Sequence, residues 1–177
     1  MTDRNDKRGP VRHSDALSRH ILRCRERDIA EASAILGLLL PRAACRSASG
    51  AGLHALWMGP DEWLVLATGS AAETMSRASA RLSALGGAFV DVGHRQVAIT
   101  LDGPEVENWL ASGCPLDLAI SVFPAGACAR TLFHKAEIIL WRTGPESFHL
   151  EVWRSFAPYV EALLSEVVHN ESKEGRT

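Results

Sequence analysis

The sequence lacks strong charge, long apolar runs and a leader-like segment. Its 19 Lys and Arg residues nearly balance its 21 Asp and Glu residues, which gives a formal net charge of -2 over 177 residues. This balance supplies no long-range attraction for a phosphate backbone or an anionic membrane. No apolar run approaches the roughly 18 residues of a membrane-spanning helix, and the charged residues 1–12 contain no apolar stretch typical of a signal peptide. We therefore expect a cytoplasmic protein that binds neither nucleic acid nor a membrane.

Cysteine and histidine are too scattered to predict a metal or redox site. The four cysteines form neither a CxxC pair nor a dense framework, and the seven histidines show no HxxxH or HExxH spacing. No GxxxxGK[ST] or GxSxG motif is present, which argues against a P-loop and an esterase nucleophile. We expect free, unreactive thiols, including Cys114, because its place after a predicted helix puts it at the negative end of the helix dipole.

Residues 50–55 read GAGLHA and so match the letters of a GxGxxA dinucleotide fingerprint. In a nucleotide-binding fold this motif follows a strand and opens a helix, so that the pyrophosphate meets helix N–H groups. Here the motif precedes a β-prone run instead. The sequence therefore favours a flexible loop over a cofactor site at this place.

A hydrophobic content of 46% can bury one sizeable core in a chain of this length. We predict a disordered N-terminal tail over residues 1–17, a single domain over 18–168 and a C-terminal tail over 169–177. Apolar periodicity within the domain predicts an α+β order of elements. The predicted strands lie near residues 19–25, 53–58, 63–67, 89–92, 96–101, 127–133, 137–141 and 148–153, and the predicted helices lie near 28–39, 70–85, 104–112 and from 155 onward.

Two similar hairpin sequences, at 57–63 and 141–148, lie about 84 residues apart, and each has a Gly-Pro pair and an acidic residue in its turn. A strand and a helix precede each hairpin, and an amphipathic helix follows it. An internal duplication is the economical explanation of this order. It predicts two ferredoxin-like β-α-β-β-α halves, over about 18–88 and 89–168, which share one mixed sheet or pack side by side with helices on one face.

The segment Asp91-Val92-Gly93-His94-Arg95 admits two interpretations. A carboxylate, an imidazole and a guanidinium at a strand end suit the orientation of an anionic ligand or acid–base work. Alternatively, Asp91 stabilises the turn around Gly93 and pairs with Arg95, which needs no function. We favour the turn. With one tyrosine and no clustered Asp/Glu pair, the rest of the sequence also offers little acid–base machinery.

Five tryptophans are many for this chain, and they fall mainly on predicted strands and hairpins. Some of them must lie partly exposed on a small sheet, and large exposed aromatic side chains are typical of protein interfaces. We assign three of the five to ordinary core packing. Trp63 and Trp153, which precede helices or face Arg154, are the candidates for contact with a partner.

Several segments together resemble the gamma subunit of the bacterial heterotetrameric sarcosine oxidases over roughly residues 20–168. They are LWMGPDEWLVL at 56–66, VDVGHR at 90–95, SGCPLDL at 112–118, ILWR at 139–142 and RSFA at 154–157. Their order along the chain makes the resemblance more specific than any one of them. This family is in turn similar to the folate-binding region of glycine-cleavage aminomethyltransferases, in agreement with the two predicted halves.

The resemblance implies a non-catalytic subunit of an oxidoreductase that demethylates sarcosine to glycine, with hydrogen peroxide and 5,10-methylenetetrahydrofolate as further products. The implied partners are the alpha, beta and delta subunits. FAD, FMN, NAD and tetrahydrofolate are implied in those partners and no cofactor in the gamma chain, so we expect no catalytic, cofactor-binding or metal-binding residue here. The candidates for interface or structural roles are Trp63, Asp91, His94, Arg95, Asp117, Arg142, Trp153 and Arg154.

The sequence departs from the aminomethyltransferases at Ala136-Glu137, where those enzymes carry an Asp-Asp step, and it leaves no room for their later barrel domain. Gly93 also stands where the sarcosine oxidase family often has Ser. Two alternatives remain. One is a stand-alone one-carbon enzyme that binds tetrahydrofolate through Arg95, Arg142 or Glu137. The other is a folate-dependent accessory protein of the iron–sulfur maintenance type, but the KGC-like motif expected there is missing.

Overall fold

The computed structural model describes residues 11–14 and 17–174. Within these ranges the strands are β1 (Val11–Ser14), β2 (Ser18–Arg23), β3 (Ser47–Gly50), β4 (Leu53–Gly59), β5 (Glu62–Ala67), β6 (Ala88–Asp91), β7 (Gln96–Asp102), β8 (Cys128–Phe133), β9 (Ala136–Gly144) and β10 (Ser147–Trp153). The helices are α1 (Ile29–Leu36), α2 (Ala71–Ala84), α3 (Val106–Ala111) and α4 (Ala157–Glu174), with a 3-10 turn at Glu26–Asp28 before α1. In the part of the chain that the structure describes, no helix is long and apolar enough to cross a membrane.

The strands form two antiparallel sheets of five strands each. The N-terminal sheet has the order β3-β4-β5-β2-β6, and the C-terminal sheet has the order β1-β7-β10-β9-β8. Along the chain, β1 to β5 correspond to β6 to β10, but the first strand of each series is exchanged. β1 pairs with β7 of the C-terminal sheet, and β6 pairs with β2 of the N-terminal sheet. The predicted duplication is therefore present as a repeated order of elements, and the exchanged strands tie the halves together.

The two sheets pack face to face, and the helices cover their outer faces. Because side chains alternate along a strand, each strand sends one set of residues toward a helix layer and the other toward the opposite sheet. The core beneath α1 and α2 includes Leu22, Leu53, Trp63, Val65, Met75 and Leu82. The core beneath α3 and α4 includes Val97, Ile99, Leu110, Leu140, Leu150 and Val160. A third cluster between the sheets contains Leu56, Leu64, Leu66, Val92, Cys128, Ile139 and Trp141.

Both predicted hairpins are confirmed, as β4–β5 and β9–β10, and they share an irregularity. Gly59 pairs with Glu62, and Gly144 pairs with Ser147, so each turn consists of a proline and an acidic residue. Each pairing also has a register shift beside the turn, which places one extra residue on β4 or β9 as a β-bulge. The same local sequence therefore gives the same local geometry in both halves.

The predicted β-α-β-β-α order leaves out one strand of each half, β3 and β8, although a strand is predicted near residues 127–133, where β8 lies. β3 and β8 pair with β4 and β9 and extend each hairpin to three strands. The residues of β3 read Ser-Ala-Ser-Gly, which carries no apolar alternation that predicts a strand. The predicted boundary at 88/89 also falls inside β6, which belongs to the N-terminal sheet. The alternative of a single mixed sheet is wrong, because the strands form two separate antiparallel sheets. Each sheet carries helices on one face and meets the other sheet with its opposite face.

The structure gives regular elements to parts of both predicted tails. Val11–Ser14 forms a strand that pairs with β7, and Arg12 forms an ion pair with Asp102 on that strand. At the other end, α4 continues to Glu174 and passes the predicted domain boundary at 168. The remaining residues of the predicted tails, 1–10, 15–16 and 175–177, lie outside the described residues.

The GAGLHA segment forms the tight turn between β3 and β4. Ala51 and Gly52 both have positive φ, at 50° and 78°, which is the backbone geometry of a two-residue hairpin turn. Leu53 pairs with Gly50 and begins a strand. Since no helix follows the glycines, the segment lacks the helix N-terminus that a pyrophosphate requires.

Candidate interaction surface

Trp63 lies in the interior of the protein, and none of its side chain reaches the surface. Its side chain is fully buried on β5 beneath the helices, and its indole Nε1 donates to the carbonyl of Pro41 at 2.8 Å. The prediction that Trp63 contacts a partner is wrong, because the helix layer covers this face of the sheet. The hydrogen bond also satisfies the one polar group of the side chain.

Arg142 is a buried structural residue. Its Nη1 donates to the carbonyls of Leu118 at 2.7 Å and Phe123 at 3.0 Å, and its Nη2 donates to Glu107 Oε2 at 3.0 Å. The guanidinium carbon also lies 4.8 Å from the ring centroid of Phe148. With 3% of the side chain exposed, Arg142 fastens the segment after α3 to β9. Its three nitrogens already donate to groups of this chain.

Asp117 lies in the segment that Arg142 holds. Its Oδ1 accepts a hydrogen bond from the backbone N–H of Ala119 at 3.0 Å, which closes a local turn. The side chain is exposed. Asp117 and Arg142 therefore both stabilise the loop between α3 and β8, Asp117 through its local turn and Arg142 through its bonds to backbone carbonyls of the loop.

The segment from Asp91 to Arg95 forms the turn between β6 and β7. Asp91 Oδ1 accepts a hydrogen bond from the N–H of Gly93 at 2.7 Å, as the favoured interpretation predicts. The predicted ion pair between Asp91 and Arg95 is not formed among the described residues. The guanidinium carbon of Arg95 lies instead 5.0 Å from the ring centroid of Trp153, within the range of a cation–π contact.

Four of the predicted residues meet at one surface, which also includes a fifth that the sequence did not single out. We call it the Trp153 surface, and it consists of His94, Arg95, Trp153, Arg154 and Phe156. The backbone N–H of Arg154 donates to the carbonyl of Arg95 at 2.9 Å, and Arg154 Nε donates to the carbonyl of His94 at 3.2 Å. Trp153 is 40% exposed and Phe156 is 45% exposed. The turn between β6 and β7 and the connection from β10 to α4 thus build one aromatic and cationic patch.

A buried polar cluster between the sheets was not predicted. Arg19 Nε donates to Glu151 Oε2 at 2.6 Å, and His149 Nε2 donates to Glu151 Oε1 at 2.7 Å. Arg19 is 1% exposed and Glu151 is fully buried. In the sequence, β10 alternates apolar and polar residues, which is typical of a strand with one solvated face. The opposite sheet covers that face, and no local signal predicts the cover.

His54 and Cys128 lie at the same inter-sheet layer, and burial governs both. Burial lowers the pKa of His54, and the nearby charge of His149 lowers it further. The ring of His54 lies 5.0 Å from that of Trp141. Burial raises the pKa of Cys128 to about 12, so this thiol is not a nucleophile at neutral pH.

Within the described residues, no group of three or more His, Cys, Asp or Glu residues could hold a metal ion.

Two facing antiparallel sheets with a repeated order of elements define an aminomethyltransferase-like fold. The structure superposes on the glycine cleavage system aminomethyltransferase T from Bartonella henselae with a TM-score of 0.61, over 87% of this chain and 44% of that chain, at 13% sequence identity. At this identity the likeness concerns the fold alone. The chain belongs to the sarcosine oxidase, gamma subunit family, whose model matches residues 25–170.

Two relatives support this membership. The sarcosine oxidase subunit gamma of Arthrobacter sp is 32% identical over 122 residues, which is 67% of this chain and 58% of that protein. A chain of the heterotetrameric sarcosine oxidase from Corynebacterium sp. U-96, solved in complex with pyrrole 2-carboxylate, superposes with a TM-score of 0.82 at 26% identity. This superposition covers 90% of the present chain and 83% of that chain. The present chain spans between 53% and 62% of the length of the curated relatives it matches.

Proposed function

We propose that this protein is the gamma-type subunit of a heterotetrameric sarcosine oxidase and acts by docking to other subunits. The observation that carries the proposal is the superposition, over nine tenths of the chain, on a chain of such a complex. The complex would demethylate sarcosine to glycine and form hydrogen peroxide and 5,10-methylenetetrahydrofolate. Its alpha, beta and delta subunits would be the partners, and we propose that it works in the cytoplasm.

We propose that FAD, FMN, NAD and tetrahydrofolate are held by the partner subunits. Two of the three groups considered for tetrahydrofolate are already engaged by other residues of this chain. Arg142, one of the groups considered for tetrahydrofolate, is buried and donates to backbone carbonyls and Glu107. Arg95, another of them, lies on the ring of Trp153.

The ionisable groups of the interior support a structural role. Glu151 accepts hydrogen bonds from both Arg19 and His149, so its carboxylate is committed to holding the two sheets together. A general base needs a carboxylate that faces the substrate and can take a proton. The thiol of Cys128, with its pKa at about 12, is likewise unsuited to nucleophilic attack. These groups stabilise the fold that partners recognise.

Family membership argues for the subunit role over the stand-alone one-carbon enzyme. The two candidates also differ in what the isolated chain can do. Calorimetry of the purified chain with tetrahydrofolate is expected to show no binding at micromolar concentration. Micromolar binding would instead support an independent folate protein.

Co-expression tests the subunit role directly. The chain is produced together with tagged alpha-type, beta-type and delta-type subunits, and the eluate is analysed by size-exclusion chromatography with light scattering and flavin absorbance. We expect the chain to co-elute with the flavin absorbance in one large species. A chain that elutes as a monomer, beside a complete flavoprotein that oxidises sarcosine without it, would contradict the proposal. Expression of the chain alone is the control for its own elution position.

A further inference from the structure

A small groove lies between the turn of the β9–β10 hairpin, the residues before α3 and the loop after α3. Its volume is about 280 Å³, and its lining includes Pro104, Glu107, Ile120, Pro145, Glu146 and Phe148. Small-molecule sites usually have volumes of about 300–1,000 Å³, so this groove lies at the lower end of their range. Its size favours a single long side chain over a cofactor as the occupant.

Arg142 holds two walls of this groove in place. Its Nη1 donates to the carbonyls of Leu118 at 2.7 Å and Phe123 at 3.0 Å, which belong to the loop after α3. Its Nε donates to the carbonyl of Pro145 at 3.2 Å, in the hairpin turn. A groove whose walls are already ordered loses less conformational entropy when it binds an occupant.

The groove is apolar at its floor and along one edge. Phe148 is buried and forms the floor. Ile120 is 50% exposed, and Val122, two residues further along the same loop, is 58% exposed. Lysine and arginine side chains pack their methylene groups on such apolar surface and keep the charged end in water. The lining therefore suits the stem of a lysine or arginine side chain.

The charge of the groove also favours a cation. Arg142 is the one basic residue of the lining, and Glu107 pairs with it at 3.0 Å. Glu146 is exposed, and its side chain forms no ion pair within residues 11–14 and 17–174. Glu105, which adjoins the lining in sequence, forms no ion pair in these ranges either. The groove therefore keeps negative charge that a positive group of a partner complements.

The equivalent hairpin β4–β5 has the same turn without these two features. Asp61 takes the place of Glu146 in that turn, and Arg23 pairs with it at 3.1 Å. Trp57 takes the place of Arg142, since each lies beside the bulge and opposite an aromatic residue. The arginine that fixes the walls and the carboxylate without a cation thus belong to the second hairpin. The fold of the turn itself does not require them.

We propose that this groove binds a lysine or arginine side chain from a basic segment of a partner subunit. The methylene groups of that side chain would lie on Phe148 and Ile120, and its charge would meet Glu146. This inference rests on the proposed function, because it takes the occupant from the other subunits of the complex.

Two other occupants compete with a partner subunit. One is a second copy of this chain, but two identical grooves of negative charge repel each other in a symmetric pair. The other is the chain's own residues 1–10, which join the described part at Val11. They contain the cations Arg4, Lys7 and Arg8, but Asp3 and Asp6 offset most of that charge.

The test uses the complex produced by co-expression, with the tag on the flavin-bearing subunits. The variant Glu146→Lys reverses the charge at the groove, and the separate variant Ile120→Ser removes apolar area. Asp61→Lys, in the equivalent turn of the β4–β5 hairpin, is the matched control for the charge reversal. Retention of the chain on the tagged subunits is measured from about 0.05 to 0.5 M NaCl, because salt weakens exposed ion pairs. Thermal unfolding of each purified variant verifies that it folds.

We expect wild-type chain and control to be retained in equal amount at low salt. Glu146→Lys is expected to lower retention at least about tenfold and Ile120→Ser at least about threefold, with unfolding midpoints close to that of the wild type. Equal retention of wild type and Glu146→Lys, or an equal loss in Glu146→Lys and Asp61→Lys, would overturn the assignment of this groove and leave the subunit role intact. Failure of the wild-type chain to be retained would overturn the subunit role itself.

Two further outcomes would identify another occupant and overturn the inference. A wild-type homodimer that Glu146→Lys converts to a monomer would identify a second copy of the chain. A lower unfolding midpoint of Glu146→Lys that returns to the wild-type value in chains beginning at Val11 would identify residues 1–10.

Discussion

Arg19 of β2 and Glu151 of β10 form an ion pair that joins the two sheets across a sequence separation of 132 residues. The Nε to Oε2 distance is 2.6 Å, and neither side chain is exposed. Glu151 also accepts a hydrogen bond from His149, and Arg19 Nη1 donates to the carbonyl of Leu17 at 2.9 Å. Each charge of the pair therefore has several partners, which a buried ion pair requires if it is not to destabilise the fold.

Removing one member of this pair is expected to destabilise the protein strongly. Arg19→Met leaves the carboxylate of Glu151 buried beside His149 without its cation, and we expect the free energy of unfolding to fall by about 3–5 kcal/mol. The double variant Arg19→Met/Glu151→Leu removes both charges and is expected to be more stable than Arg19→Met. Urea unfolding of the two single variants and the double variant gives the coupling energy. A loss below about 1 kcal/mol in Arg19→Met would show that the pair does not hold the sheets together.

The ion pair between Arg19 and Glu151 also shows which features of the fold the sequence does not predict. Local periodicity predicts the hairpins and helices because each carries its own apolar pattern and turn residues. The alternating pattern of β10 predicts that its polar face contacts water. In the structure the opposite sheet covers that face, and no local signal predicts the cover because the residues of that sheet lie far away in sequence. The role of β1 was missed for the same reason, since its pairing with β7 depends on a distant strand.

The candidate surface was predictable in part. The resemblance and the aromatic content pointed to Trp153 and Arg154, and the turn motif pointed to His94 and Arg95. That these four lie together depends on the antiparallel pairing of β7 with β10, which sets Gln96 opposite Trp153. Trp63 shows the converse, because its sequence surroundings resemble those of an exposed hairpin tryptophan while helices cover it.

The variant Arg142→Lys tests whether the stabilising effect of Arg142 depends on the planar arrangement of its N–H donors. Lysine keeps the positive charge but cannot reach the carbonyls of Leu118 and Phe123 and the carboxylate of Glu107 together. We expect Arg142→Lys to lower the free energy of unfolding by at least about 2 kcal/mol, because hydrogen bonds to a charged group are among the stronger ones. Urea unfolding at pH 7 measures the change.

The exposed ion pair between Arg130 and Glu62, at 3.0 Å, supplies the matched control for Arg142. Arg130→Lys is expected to change stability by less than about 0.5 kcal/mol, as is usual for an exposed pair. If both lysine variants cost the same, the bonds of Arg142 to the loop would have no special role in stability.

Stability is expected to fall as the pH drops below about 6.5, the ordinary pKa of histidine. Burial lowers the pKa of His54, with a further contribution from His149, and burial lowers the pKa of His20 in spite of the opposing charge of Asp91. Below the unfolded-state pKa, the unfolded chain takes up protons that these folded imidazoles do not, and the stability of the folded state is lost through that window.

The variant His54→Gln isolates one of these two groups. Its urea midpoint is expected to change less between pH 7.5 and pH 5.5 than that of the wild type, because one buried imidazole no longer resists protonation. The comparison within each variant removes the constant effect of the substitution on packing. An unchanged or steeper pH dependence in His54→Gln would assign the acid sensitivity to other groups.

Gly87 lies against the end of β2, where the chain leaves α2 and enters β6. A Cβ atom placed on Gly87 would lie 2.2 Å from the backbone carbonyl oxygen of Arg23, at the end of β2, and neither backbone can move alone. We expect Gly87→Ala to destabilise the protein by about 1–3 kcal/mol, the usual cost of forced overpacking. Gly59→Ala is the control, since its Cβ would meet no atom closer than 3.7 Å, and it is expected to cost less than about 1 kcal/mol. Equal unfolding midpoints for the two variants would show that β2 and β6 can separate at this point without loss of the fold.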